Sequence, residues 1–413
     1  IGGGYETTST KAFPTMITLE ATAFNAIITI YNFAGEKINS IELLSKNPPS
    51  LSGDFVVTRL GDGTKALNKG IAYPLFIDEY NLHDRTATLT KTIPLPTQKE
   101  GNQYRCVGVG NAVTPNMLTL SENQQVLLVC GYDDSIGGKS ASKSAEEAPR
   151  VVATINAEGE VNTTTALTNV YSGQEFRSVA SLDGKILYLS GSGTSDNPGG
   201  IYTTSVGASS ANPVLTDEMA TKHIHFVDGD LWTVTSSDLL QNGKSFLPAG
   251  PTISETGDFV VVNWQNNPTK KILYWVTSPT EISKYSLVQG IWKYNGAINQ
   301  LSRSRSLIAR STNNTIQIFA ITGINSASGS CKLVLLEDAG GYNAPYVGAV
   351  SELVDCSGTY TTLRGISWKP TTYSDFDNLK KADDNTKLVV LPTGTIGIQY
   401  QNKVYSITGT KIQ

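Results

Sequence analysis

QEFRSVASLDGKILYLS, residues 174–190, carries Arg177 near the start of an apolar-rich run, turns at Asp183-Gly184, and runs straight back through Ile186 to Ser190. Two such runs around Asp-Gly form an antiparallel hairpin, because the aspartate side chain bonds the turn backbone and the glycine takes a positive φ. The pattern recurs as NMLTLSENQQVLLVCG (residues 116–131), TKHIHFVDGDLWTVTS (221–236) and RSLIARSTNNTIQIFAITG (305–323). Looser copies are GDFVVVNWQNNPTKKILYWVTS (257–278) and the half unit LRGISWKP (363–370). A hairpin restated every roughly 35 to 60 residues predicts radial repetition of small sheets, an all-β β-propeller of four-stranded blades.

The composition agrees. Only 16% of the 413 residues are charged and 38 are glycine, as expected of short strands and many turns. The net charge of −4, with no basic stripe, argues against nucleic acid as a partner. No run approaches eighteen apolar residues, so no membrane span is expected. The chain begins at Ile1 rather than Met, which predicts a removed leader or a trimmed chain. Cysteine proximity pairs Cys106 with Cys130 and Cys331 with Cys356 as disulfides, in keeping with an oxidising compartment; four buried free thiols are the alternative. Nothing calls for a cofactor, and without CxxC spacing no metal site is assigned.

Three regions follow. Residues 1–50 form an N-terminal β element, 51–370 the propeller and 371–413 a C-terminal β element. IYNFAGEKI (30–38) and VYSITGTKI (404–412) share Tyr, Gly, Lys and Ile at one spacing, so the two ends carry related hairpins that could pair. FVVTRLGDGTKAL, YPLFIDEYN and TATLTKTIPLP supply three strands of a blade that lacks its innermost strand, whereas LRGISWKP is an innermost strand without a blade. Pairing these N- and C-terminal strands would close the ring and remove its open edges. With units at about 117–167, 176–215, 223–246, 259–294 and 306–353, the blade count is six; a seventh would have to lie in 104–113 or the C-terminal strands. SIGGKSASKSAEEAPR (135–150) is too polar to pack and is expected to be an exposed, mobile loop.

FVVTRLGDG, FIDEY, TIPLP, LTLS followed by GYD, FRSVAS followed by GG, and LRGISWKP resemble, in content and order, a group of largely uncharacterised secreted bacterial β-propeller repeat proteins. In that group an R-x-G-D-G strand opens the ring and an FRG-like strand closes it. The tail LPTGTIGIQYQNKVYSITGTKIQ is similar to the C-terminal β modules of exported Bacteroidetes proteins. The resemblance implies a fold and a secreted or cell-surface location, and no particular reaction.

Superposing the hairpins puts Asn116, Arg177, His223, Asp258, Arg305 and Arg364 at the entry of the innermost strands, where six blades would bring them to one mouth of the central channel. Three arginines and a histidine against one aspartate predict an electropositive mouth for a carboxylate, phosphate or sulfate. The competing reading is that these arginines bond strand-end carbonyls or buried acids and stitch blades together. His223 and His225 share a face and could hold a metal with Asp258 or Glu255, but a hydrogen-bonded role is the simpler one. Asp62 and Asp183 read as turn formers; Asp78-Glu79 is a further acidic cluster, and Asp133-Asp134 and residues 383–386 leave calcium binding open, although no D-x-D-x-D-G loop supports it. The five tryptophans read as packing between blades, with Trp264 the most exposed. The sequence therefore points to a non-catalytic binding, adhesion or scaffold module with a protein or glycan partner and self-assembly through its terminal strands. The alternative is a lyase or hydrolase of acidic polysaccharide using His223, Arg177, Arg364 and Tyr202.

Overall fold

The structure is a computed structural model. It describes residues 55–371, apart from 111–114, 196–198, 217–219, 249, 251–252, 255, 313 and 324–330, together with the course of six strands in the terminal segments. The chain divides into two compact units, Ser52–Thr372 on one side and Ile1–Leu51 with Tyr373–Gln413 on the other. In the latter, β1 (Thr15–Ala21), β2 (Asn25–Asn32) and β3 (Lys37–Leu44) form one antiparallel meander. Its C-terminal strands, Thr386–Val390, Ile396–Tyr400 and Lys403–Ser406, form another. Each end thus makes a sheet of its own, and no ladder joins the two among the described strands.

The larger unit is all β apart from two single 3-10 turns among the described residues. Its first sheet contains β4 (Phe55–Leu60), β5 (Ala72–His83) and β6 (Thr86–Pro94). A short β7 (Val107–Val109) bridges β5 to the second sheet, made of β8 (Leu118–Leu120), β9 (Leu127–Tyr132), β10 (Arg150–Ile155) and β11 (Val161–Leu167). The third sheet is β12 (Phe176–Ala180), β13 (Ile186–Gly191), β14 (Gly200–Ser205) and β15 (Asn212–Leu215). The fourth is β16 (Ile224–Val227), β17 (Asp230–Val234), β18 (Leu239–Gln241) and β19 (Lys244–Ser245). The fifth is β20 (Phe259–Asn263), β21 (Lys271–Ser278), β22 (Glu281–Val288) and β23 (Ile291–Ile298). The sixth is β24 (Ser306–Ser311), β25 (Ile316–Thr322), β26 (Lys332–Asp338) and β27 (Val350–Asp355). The next strand, β28 (Thr362–Trp368), returns to pair antiparallel with β4, giving the first sheet its fourth strand. Every ladder is antiparallel and nearly every connection a hairpin, which is the β-propeller pattern.

Both faces of these sheets are covered by neighbours, so strands such as β9, LLVCGY, are buried along their whole length rather than on alternate residues. Leu60, Leu75, Val129 and Val151 fill the seam between sheets one and two. Cys130, Tyr132, Phe176 and Leu189 fill the next seam, and Phe55, Val57, Phe319 and Leu335 join sheet six to sheet one. Each such side chain contributes about 1.5–3 kcal/mol by leaving water. Trp232, Phe259, Trp275 and Trp292 pack sheets four and five together, in line with the packing role expected of the tryptophans; Trp264 and Trp368 are half-buried. The seam between sheets three and four is the thinnest, with only Ala180, Ile201 and Ile224 fully buried in its cluster. Hydrogen bonds reinforce it: the Thr221 hydroxyl bonds to the carbonyls of Gly191 and Gly200 and accepts the Gly191 N–H.

Two expectations are corrected. The polar loop 135–150 is ordered, with Ser140, Ala145, Ala148 and Arg150 all buried. Its low apolar content is offset by a cage of carbonyls. Arg150 Nη1 donates to Ser144 O (3.2 Å) and Ala148 O (2.7 Å), and Nη2 to Lys143 O (3.2 Å), Gln174 O (3.1 Å) and Tyr171 O (2.5 Å). Asp134 anchors the other end by accepting from Ser135 N, Ser140 Oγ and Lys143 Nζ.

The cysteines, in turn, are four buried free thiols rather than two disulfides. Cys106 lies in the cluster with Val129, while Cys130, the next residue along β9, belongs to the cluster on the other face. Alternation along the strand therefore separates Cys106 from Cys130. Cys331 and Cys356 do share a cluster, and Cys356 N–H donates to Cys331 O at 3.0 Å. Their thiols meet by hydrogen bonding: Cys331 Sγ also accepts the Leu363 N–H at 3.1 Å, and the Cys356 thiol beside it draws the Cys331 pKa below the ordinary thiol value.

Candidate functional site

The positions aligned from sequence do fall at the first strand of each sheet. Arg177 lies on β12 and Arg364 on β28, while Asn116, His223, Asp258 and Arg305 lie one or two residues before β8, β16, β20 and β24. First strands touch in succession around the unit. Gly365 of β28 abuts β8, where a Cβ would come within 2.2 Å of Leu118 N. Met117 N–H reaches Arg177 O at 3.4 Å, Arg177 Nη1 reaches Thr221 O at 3.2 Å, and His225 Nε2 meets Asp258 Oδ1 at 2.7 Å. Asp258 N–H donates to Arg305 O at 3.2 Å, and Ile366 N–H to Ser306 Oγ at 3.2 Å.

The six residues do different work. Asn116 is wholly buried at φ 67°, accepts the Val109 N–H and donates Nδ2 to Cys130 O at 2.7 Å, so its amide is used up in holding sheet two. Asp258 is the hub of sheets four to six. Besides His225 it accepts Phe259 N–H (2.9 Å), Ser306 Oγ–H (3.0 Å) and Leu307 N–H (3.1 Å), with His223 Nδ1 3.6 Å away. Burial alone would raise its pKa, but His225 and His223 beside it and these donors hold it at about 2. Burial pushes His223 down to about 4 despite Asp258, so this imidazole is neutral near pH 7. Among the described residues no group of three His, Cys, Asp or Glu side chains could hold a metal; Glu255 lies outside them, and His83 is exposed beside Asp84.

Arg177 is answered from within its own strand approach: Glu175 Oε2 accepts its Nε at 3.0 Å. The sequence comparison missed Glu175, because it lies two residues before the aligned position; it lowers the positive charge expected of the mouth. Arg305 is 2% exposed and lies in the field of His223 and Arg364. Arg364, also 2% exposed, has an Nε with no hydrogen-bond partner, and no ion pair reaches its guanidinium among the described residues. Burial brings its pKa down to about 10 and Arg305 adds to that, while Cys331 first and then Glu175 act against it.

The remaining candidates are structural. Arg59 of the RLGDG motif grips Asp78 through Nε (2.5 Å) and Nη2 (3.2 Å) and donates Nη1 to Gly61 O. Asp62 accepts the Thr64 N–H, and Asp183 those of Lys185 and Ile186, as turn formers do. Asp133 pairs with Arg105 at 2.6 Å. Tyr202 sits on β14, two strands out from β12, edge-on to Tyr171, so it does not join His223, Arg177 and Arg364. Residues 383–385 lie outside the described residues.

No family model matches this chain, and no curated protein matches it. Among solved structures it is similar to AztD of Citrobacter koseri, at 8% identity over 97% of this chain and 93% of that one, with a TM-score of 0.38. It is also similar to a chain of a nidogen/laminin complex, at 10% identity over 75% of this chain and 97% of that chain, TM-score 0.44. The SapL1 lectin in complex with alpha methyl fucoside aligns at 12% identity over 72% of this chain and 96% of the lectin, TM-score 0.40.

Proposed function

We propose that this protein is a six-bladed β-propeller closed by β28 on β4, acting as a secreted or cell-surface binding module that recognises an anionic protein or glycan at the centre of the ring. The carrying observation is Arg364, a buried guanidinium whose Nε has no hydrogen-bond partner among the described residues. A buried guanidinium with an N–H that finds no acceptor is costly, and a fold that keeps one where first strands converge has a use for it. The successive contacts between first strands support the ring, and the two terminal sheets are available for attachment or assembly with other copies. The enzyme alternative is not favoured, since Tyr202 is set apart from the three residues it would have to join.

Binding of acidic oligosaccharides on an array tests this reading. The wild type should bind a subset of them, and Arg177→Ala with Arg364→Ala should abolish it. A wild type that binds no anion, or a double variant that binds as well, would overturn it.

A further inference from the structure

Arg177 and Arg364 share a backbone device. The register of β12 against β13 shifts by one residue between Phe176 and Ser178, and that of β28 against β4 between Leu363 and Ile366. An extra residue in one strand of a pair re-aims the side chain it carries, and such bulges concentrate beside functional sites. In β28 the irregularity is stabilised locally. Gly365 N–H donates to Thr58 Oγ1 at 2.7 Å, Thr58 Oγ1 donates on to Asn116 O at 3.0 Å, and Gly365 leaves no Cβ to strike Leu118. The two arginines then part company. Arg177 is partly exposed and meets Glu175 and Thr221 O, whereas Arg364 is buried and its Nε meets nothing.

We propose that the Arg364 guanidinium seats a single carboxylate, either of a small acid or of an acidic sugar. The proposal rests on the binding-module reading and gives that site its ligand class. A carboxylate offers two coplanar oxygens to the guanidinium fork. A single charge suits the surroundings: the Cys331 thiol and Glu175 already act on Arg364, which leaves little positive charge for a second anionic one. A dianion would face the Glu175 carboxylate, which already acts on Arg364. Burial also limits the group admitted. At 2% exposure Arg364 can be met by a compact terminal group, whereas a polyanion laid across the rim would not reach it.

The test uses calorimetric titration of the whole chain with acetate, D-glucuronate, neutral D-glucuronamide and inorganic phosphate, alongside the Nε–H resonance of Arg364. Acetate and glucuronate should bind and move that resonance, glucuronamide should not, and phosphate should bind at least about tenfold more weakly than acetate, equivalent to about 1.4 kcal/mol. Arg364→Lys should weaken acetate by about tenfold or more, and Arg105→Gln, remote from the site, should leave it unchanged. Acetate without glucuronate binding would assign the site to small acids; both together would assign it to acidic sugars. Phosphate binding as tightly as acetate, or an Nε–H resonance unmoved by acetate, overturns the proposal. The resonance needs no variant, so the result stands even if Arg364→Lys folds poorly. Because acetate is read directly, a silent oligosaccharide array would sink the module reading without deciding this one.

Discussion

Arg150 and Arg364 are both among the largest fully buried side chains, and burial lowers the pKa of each. Arg150 lies under the second sheet, stacked 5.3 Å from the Tyr132 ring, and its two terminal nitrogens reach the carbonyls of Ala141, Lys143, Ser144, Ala148, Tyr171 and Gln174. Both leave Nε without a partner among the described residues, but Arg364, where first strands converge, has no such cage for its terminal nitrogens either. The fully buried Lys284 resembles Arg150, paired at 2.6 Å with Asp338, which also accepts from Tyr274. A buried cation that the protein itself satisfies is part of the architecture; one it leaves unsatisfied is open to a ligand.

The most drastic way to break the comparison is to remove the strand that carries Arg364. A chain ended before Leu363 leaves β4 paired with β5 alone, and cooperative thermal unfolding should be lost; an unchanged melting temperature would refute closure by β28. Next in size is Arg150→Met. It leaves six carbonyls without their donor and should cost about 4 kcal/mol in urea unfolding, with faster amide exchange across residues 135–149.

Acid titration probes the hub beside Arg305. His223 has a folded pKa of about 4, below the ordinary 6.5, so its contribution is complete above pH 6.5 and is lost as pH falls toward 4. Asp258, at about 2 against an ordinary 3.8, extends the loss below pH 3.8. The two groups face each other, so unfolding should show one broad acid transition, with about 3 kcal/mol lost between pH 6.5 and 4. His223→Gln should flatten the upper part of that slope. Smaller again is Gly365→Ala, which should cost about 2 kcal/mol because the new methyl meets backbone rather than a flexible side chain.

Much of this was legible in the residues. Asp-Gly and related turns marked the hairpins, and the three strands before residue 96 lacked a partner that 363–368 could supply, which β28 does. The aligned entry positions placed Arg177 and Arg364 on the first strand of their sheets and Asp258 just before one, because repetition fixes that place. What was hidden depends on contacts distant in sequence or on a residue's face. The loop 135–150 looked unpackable because its stabilising acceptors include Tyr171 and Gln174, carbonyls that no composition reveals. Cys106 and Cys130 looked like partners because proximity in sequence says nothing of which face each occupies. Glu175 and the register shift at Arg364 decide which arginine is answered, and neither has a sequence signature.

The most direct measurement is urea unfolding of Arg364→Met beside the wild type, each in anion-poor buffer and in acetate. If Arg364 waits for a ligand, the variant should match the wild type within about 1 kcal/mol or exceed it in anion-poor buffer, since an apolar side chain of similar length removes an unpaired buried charge. Acetate should then stabilise the wild type alone. An Arg364→Met variant as damaged as Arg150→Met, with acetate making no difference to either chain, would mean that Arg364 is architecture and that the centre of the ring holds no anion.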